Sequence, residues 1–381
     1  MTHFSLALPP RIAFGRTCSD AAPDACLALG QRVLMLRSPS VSAAGRIGRA
    51  LEEKGAELVT EDHRGEPTID ALRAALDRWR TAPPDVILAI GGGSVIDMGK
   101  ALAALLPQPG PAEDHLEIVG AGRPLDTPPL PVIAVPTTAG TGAEATKNAV
   151  IGVPEAGRKV SLRDPGMIPA RAFVDPALTD ESPRNVTLAS GLDAITQVIE
   201  PYLSARANLV TDALCRDAIS RGIDALHWLM AEETAEARDT MAYVSLIGGI
   251  ALANAGLGAV HGLAGVVGGQ TGLAHGAICG RLLVPVLRAN EEALAVDRDT
   301  ARIDFVARIL ADQFGVPKMG AFDAFQDWID DQGLPYIPRP ENSETVLGSW
   351  AEAAADASSM KANPVPLPRE RLAAILSEAS A

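Results

Sequence analysis

Aromatic residues are scarce in this chain, only 4% of 381 positions. A core with so few large rings is filled by alanine, glycine and branched aliphatics, which suits closely approaching helices and tight strand–helix turns. Basic charge is also in deficit: 33 Lys and Arg stand against 47 Asp and Glu, a formal net charge of −14. That excludes a nucleic-acid-binding surface, which needs clustered cations, and points to a small-molecule partner. Cysteine is sparse too. Cys18, Cys26, Cys215 and Cys279 form no C-x-x-C pair and no zinc-knuckle spacing, so neither a disulfide framework nor a structural zinc finger is expected. Reduced thiols in a cytoplasmic protein fit this usage. Met1 to Gly15 lacks a basic stretch followed by a long apolar run, so no signal peptide is expected.

The most pointed absence is local. From Thr240 to Gly280 there is no Asp, Glu, Lys or Arg. Length alone would suggest a membrane span. Asn254, His261, Gln270 and His275 are spread through the stretch, however, and Gly248-Gly249 and Gly268-Gly269 interrupt it. Polar groups are costly in lipid, so a buried core segment is expected and no membrane association. Within that segment the two histidines stand out. Each ring nitrogen of a buried imidazole needs a partner, so His261 and His275 require either nearby acceptors or a metal ion.

The remainder of the chain is regular. Arg32–Leu36, Glu57–Val59, Asp85–Ile90 and Pro131–Val135 read as strands, and the segments near 41–54, 68–79 and 95–106 as helices between them. This alternation predicts a mostly parallel sheet wrapped by helices. Pro107 to Pro131 is loop-rich. Beyond about residue 180 helical periods take over, as in Asn208–Met230, where Asn208 is the expected N-cap, and in Ala301–Phe314. The expected division is therefore an α/β domain over residues 1–180 and an all-α domain over 181–381.

Gly91-Gly92-Gly93-Ser94 follows a strand directly and opens a helix. Glycines let backbone approach a phosphate, and the helix N-terminus offers unpaired N–H groups and a positive dipole end. The G-x-G-x-x-G spacing is absent, and a plain tight strand–helix turn would look the same. A second loop, Thr137-Thr138-Ala139-Gly140-Thr141-Gly142, follows another strand. Ligands of open α/β sheets bind at such strand ends. In the helical half, Gly191-Leu192-Asp193-Ala194-Ile195-Thr196-Gln197 reads as helix, with Asp193 and Gln197 on one face. One carboxylate and two imidazoles form a workable set for Zn²⁺ or Fe²⁺. Asp193 could equally be a helix N-cap.

Taken together, these pieces resemble the iron-containing (group III) alcohol dehydrogenases. The matching motifs are G-G-G-S-V-I-D at 91–97, P-T-T-A-G-T-G-A-E at 136–144, R-K at 158–159, D-P-A-L-T at 175–179, G-L-D-A-I-T-Q-V-I-E at 191–200, the His261/His275 pair, and K-A-N-P at 361–364. The resemblance implies a dehydroquinate synthase-like two-domain architecture. It assigns Ser38, Gly91, Gly92, Gly93, Ser94, Asp97, Thr137, Thr138, Thr141, Lys159 and Leu178 to an NADP or NAD site, and Asp193, Gln197, His261 and His275 to Fe²⁺ or Zn²⁺. The implied activity is hydride transfer between NAD(P) and a small alcohol or aldehyde, in a homodimer or larger homo-oligomer. A metal-independent reductase of the maleylacetate reductase type, or a non-redox lyase on the same scaffold, is the alternative.

Two positions depart from the family. Gln197 stands where the fourth ligand is usually histidine, and Gly265 where many members carry a histidine assigned to proton relay. Arg37-Ser38-Pro39 stands where NAD-preferring relatives place Asp. An acid would repel a 2′-phosphate and a serine beside an arginine would not, so the charge argument favours NADP.

Overall fold

The computed structural model of the protein describes residues 3–297 and 299–381. The chain divides into two compact units, Ala7–Glu181 and Ser182–Ala381, the latter joined by Leu6 and the described residues before it.

In the first unit, β1 (Ile12–Phe14) precedes α1 (Ala22–Leu27), β2 (Arg32–Arg37), α2 (Ser42–Glu53), β3 (Glu57–Asp62), α3 (Ile69–Trp79), β4 (Val86–Gly91) and α4 (Gly93–Leu105). Then come β5 (Val132–Pro136), β6 (Asn148–Val153), β7 (Arg158–Arg163) and β8 (Arg171–Val174). Among the described residues, six strands form a parallel sheet in the order β1-β8-β5-β4-β2-β3. Its centre explains the continuous apolar runs of the sequence. Leu34, Leu36, Ile87, Ala89 and Ala134 bury one face beneath α3 and α4. Val33, Met35, Val86, Leu88, Ile90, Ile133 and Val135 bury the other beneath α1 and α2. Strands covered on both sides have no polar face to alternate with. The edge strand β3 is instead largely exposed and carries Glu57, Glu61 and Asp62, charges that discourage edge-to-edge pairing.

The antiparallel hairpin β6–β7 lies outside the periodicity argument. Its turn is short, and its strands are partly exposed, so no long apolar run marks it. Beside it Lys100 is fully buried on α4, donating to the carbonyl of Ala143 at 2.9 Å and to Thr146 Oγ1 at 2.7 Å. Burial pulls Lys100 below the ordinary lysine range and pushes Glu144 up from 4.5 to about 7. Between those two values the native state holds a proton that the unfolded chain has released, so stability falls as pH rises from 4.5 to 7. Glu144→Gln is therefore expected to raise the melting temperature at pH 8, by the equivalent of about 1–3 kcal/mol, and to change little at pH 4. Thermal denaturation at both pH values checks this; an equal effect at both would refute it.

The second unit contains α5 (Arg184–Leu203), α6 (Leu209–Ala231), α7 (Ala235–Ala255), α8 (Ala259–Thr271), α9 (His275–Asp297), α10 (Ala301–Phe314), α11 (Ala321–Asp331), α12 (Ser343–Ala355) and α13 (Arg369–Glu378). Asn208 caps α6 as expected: its side chain accepts from the N–H groups of Val210 and Thr211, and Thr211 Oγ1 accepts from the N–H of Asn208. The charge-free stretch divides among α7, α8 and the start of α9, with α7 and α8 bent by 103° relative to each other. Among the described residues no single helix is long and apolar enough to cross a membrane, although the bent pair α7–α8 passes by length and composition together.

Candidate metal centre and cofactor loops

In the α/β unit, the expected cofactor positions gather at the C-terminal ends of neighbouring strands. Ser38 follows β2, Gly91 ends β4, Thr137 follows β5, and Leu178 lies in the turn after β8. The loops are stitched together: the N–H of Ser38 donates to Ile90 at 3.0 Å, and that of Thr137 to Gly91 at 3.0 Å. Gly92 is the N-cap of α4, whose first turn includes Gly93 and Ser94. A Cβ on Gly93 would lie 2.5 Å from Thr141 Oγ1, and one on Gly92 3.2 Å from Thr138 Oγ1. The threonine loop thus closes over the glycine loop, an approach that side chains at 92 and 93 would block.

Two expected residues, Asp97 and Lys159, and the arginine beside Ser38 also make contacts within the unit. Asp97 accepts from the N–H of Val150 at 2.9 Å and lies 3.1 Å from Lys100, tying α4 to β6. Lys159 is ion-paired with Glu66. Arg37, the cation beside Ser38, donates from Nε to Asp62 at 2.8 Å, so its charge is matched locally.

In the helical unit, three helices converge on one point. Asp193 comes from α5, His261 from α8 and His275 from α9, and their donor atoms lie within 4.8 Å of one another together with Cys279 Sγ. Asp193 lies well inside α5, which begins at Arg184, so the N-cap alternative is corrected: its carboxylate is free to face the histidines. Asp193 Oδ1 and His261 Nε2 are 3.4 Å apart. Both atoms are buried and neither has a hydrogen-bond partner. Leaving two such atoms unsatisfied costs about 1–3 kcal/mol each, and a shared cation would satisfy both. The residues therefore fit a divalent metal.

The opposite side of the His261 ring is fixed. Its Nδ1–H donates to Glu200 Oε2 at 2.6 Å, and Glu200 Oε1 accepts from the N–H of Val260 at 2.7 Å. In the neutral ring this sets the tautomer whose Nε2 lone pair faces the site, the form a bound cation requires. Burial alone would depress both histidines, but their neighbours Cys279, Glu200 and Asp193 hold His261 well above the ordinary range, and Cys279 and Asp193 raise His275. Burial alone would raise Asp193; the close approach of His261 and the charges of both histidines hold it below the usual carboxylate range. The pocket is electronegative and suited to a cation. Glu200→Gln is expected to lower metal affinity by about 10–100-fold, the usual effect of losing such a support, read by competition with a chelator. Unchanged affinity would remove Glu200 from this role.

Two of these residues were not anticipated. Glu200 closes the G-L-D-A-I-T-Q-V-I-E motif seven positions after Asp193, two helical turns on, and that spacing was the available signal. Cys279 was read as an ordinary reduced thiol, yet it lies four residues after His275 on α9, Sγ 3.6 Å from Nε2. Gln197, one turn beyond Asp193, is buried, and its amide nitrogen lies 3.2 Å from where a Cβ on Gly248 of α7 would sit. Gly265, on α8, has nothing within 4 Å of where its Cβ would be.

A parallel α/β unit with glycine and threonine loops at its strand ends, and a helical unit with a buried carboxylate–imidazole cluster, are the features of a metal- and dinucleotide-dependent oxidoreductase. The chain belongs to the iron-containing alcohol dehydrogenase family: residues 9–176 match Iron-containing alcohol dehydrogenase, and residues 187–380 match Fe-containing alcohol dehydrogenase family, C-terminal. It is accordingly an alcohol dehydrogenase/aldehyde reductase using NAD(P), and the family resemblance of the sequence is confirmed. It is 34% identical over 277 residues to 4-hydroxybutyrate dehydrogenase of Cupriavidus necator, covering 71% of this chain and 72% of that one. It is also 34% identical over 296 residues to lactaldehyde reductase of Escherichia coli K12, covering 76% and 77%. The crystal structure of 1,3-propanediol oxidoreductase superposes with a TM-score of 0.88 at 28% identity, covering 99% of this chain and all of that one.

Proposed function

We propose that this enzyme interconverts a small aliphatic alcohol and its aldehyde, with Asp193, His261 and His275 holding the cation that polarises the substrate oxygen. The observation that supports it most directly is the pair of buried, unpartnered atoms, Asp193 Oδ1 and His261 Nε2, facing each other at 3.4 Å. A bound Fe²⁺ or Zn²⁺ supplies Lewis acidity at the substrate oxygen, and NAD(P) accepts or gives the hydride. The protein's part is positioning. Glu200 keeps the proton of His261 on Nδ1. The first-turn N–H groups of α4 and the hydroxyls of Thr137, Thr138 and Thr141 offer donors to the dinucleotide, with Leu178 supplying an apolar contact. Relatives that act on 4-hydroxybutyrate and lactaldehyde support a short-chain substrate.

The test is a screen of short alcohols, aldehydes and semialdehydes with both cofactors, before and after adding Fe²⁺ or Zn²⁺. Substrate turnover with stoichiometric change in NAD(P)H, stimulated by metal, is the expected result. Failure of every substrate in the metal-loaded protein would overturn the reading.

Both cofactors are proposed to be accepted. Position 38 carries no carboxylate to repel a 2′-phosphate, and Arg37 is paired with Asp62, so no unmatched arginine there singles NADP out. Ser38→Asp is expected to raise KM for NADP about tenfold or more with little change for NAD, since like charges placed together cost on the order of a kilocalorie or more. Equal effects on the two cofactors would refute this placement. A cytoplasmic location is supported by the free state of all four cysteines.

A further inference from the structure

We infer that Cys279 is the fourth protein donor of the cation site, taking the place of the imidazole absent at position 197, and that the resulting set selects Zn²⁺ over Fe²⁺. This rests on the metal-assisted reading above. Three independent features carry it.

The first is spacing. Donors bound to one tetrahedral zinc through bonds of about 2.3 Å to sulfur and 2.0–2.1 Å to nitrogen stand about 3.5–3.6 Å apart. Cys279 Sγ and His275 Nε2 are 3.6 Å apart. Nitrogen and carboxylate oxygen on the same ion would stand about 3.3–3.4 Å apart, and His261 Nε2 and Asp193 Oδ1 are separated by 3.4 Å. Each pair already has the separation that a shared ion imposes, and all four donors lie within 4.8 Å of one another.

The second is that the cluster contains two orphaned acceptor positions, Asp193 Oδ1 and His261 Nε2. The thiol joins a group that already lacks partners; it is not an isolated cysteine. The other three cysteines lie outside the cluster, and burial pushes Cys18, Cys26 and Cys215 up to about 12.

The third is donor chemistry: a thiolate beside a carboxylate and two imidazoles is a donor set that zinc accepts in four-coordinate geometry. On metal uptake the thiol proton passes to solvent and the sulfur lone pair forms the new bond. A soft thiolate favours zinc, which also stands above Fe²⁺ in the general affinity order of divalent metals.

The experiment strips the full-length protein with a chelator and reloads it with Co²⁺. The expected spectrum at one Co²⁺ per chain includes a near-ultraviolet sulfur-to-cobalt charge-transfer band, lost in Cys279→Ser while the visible ligand-field bands persist. In competition, the unmodified protein prefers Zn²⁺ to Fe²⁺ by about tenfold or more, and Cys279→Ser narrows the margin. X-ray absorption of the Zn²⁺-loaded unmodified protein, expected to give one sulfur near 2.3 Å, needs no variant and decides the matter if Cys279→Ser misfolds. Stoichiometric metal without a sulfur signature, or the same charge-transfer band in Cys279→Ser, overturns the role of Cys279 and leaves the metal-assisted reading intact. Failure of the unmodified protein to bind any of these metals overturns both.

Discussion

His261→Ala is expected to strip the protein of divalent metal and to lower turnover about a thousandfold. Three effects combine at this residue. The imidazole supplies Nε2 to the cluster, where it faces Asp193 Oδ1 at 3.4 Å. It is also the partner of Glu200, which accepts from Nδ1 at 2.6 Å in a buried setting. Removing the ring leaves both carboxylates buried with one fewer positive or donor group, and an uncompensated buried charge is strongly destabilising. Lewis-acid assistance is worth several kcal/mol, and at 1.36 kcal/mol per decade that is about three decades of rate. Metal analysis after gentle purification, with kcat measured at saturating cofactor, reads the two effects separately. A variant that keeps its metal and stays within tenfold of the parent rate would end the proposal that His261 is a ligand.

Gly276→Ala is the second large effect, and it acts through packing. Gly276 opens α9 directly after His275, and a Cβ there would overlap the carbonyl of Ala189 on α5 and come within 3.3 Å of Asp193 Cβ. The obstacle is helix backbone, which has no rotamer to yield. The added methyl must push α9 away from α5, and with it His275 from Asp193. Overpacking of this kind costs about 1–3 kcal/mol. Metal affinity should fall along with the melting temperature, because the two ligands share the interface that is forced open. Gly265→Ala provides the comparison. Its added methyl meets nothing within 4 Å, and replacing a helical glycine by alanine ordinarily stabilises by about 0.5–1 kcal/mol. Opposite signs of the melting-temperature change in the two variants are predicted. Equal behaviour would mean that the close approach of α5 and α9 does not depend on Gly276.

Much of the α/β unit was legible in the sequence because its signals are local. The buried strand Val86–Gly91 is an unbroken apolar run flanked by turns, and the helix Ile69–Trp79 carries its own N-cap in Thr68, whose Oγ1 accepts from the N–H of Ala71 at 3.2 Å. The hairpin β6–β7 was not legible, since partly exposed strands lack a distinctive pattern. The loops of Gly91–Ser94 and Thr137–Thr141 could be recognised one at a time. Their mutual closure, with Thr141 against Gly93, depended on β4 and β5 being neighbours. Lys159 illustrates the converse: its motif was clear, but its pairing with Glu66 was not, because the two are far apart in the chain.

The sequence by itself determined the inventory: two imidazoles in a segment without charge, a carboxylate on a helix upstream, glycines after a strand, and a glutamine where a histidine is usual. It also determined the family. Tertiary structure decided which groups meet. Asp193, His261, His275 and Cys279 come from three helices, and the distances among them follow from how closely α5, α8 and α9 approach. Helical periodicity fixes which face a residue occupies on its own helix. It carries no information about the separation between helices, which is set by the small residues at their crossings, here Gly276 against Ala189. For that reason Cys279 could be dismissed as a sequence feature and still stand among the buried donors of Asp193, His261 and His275.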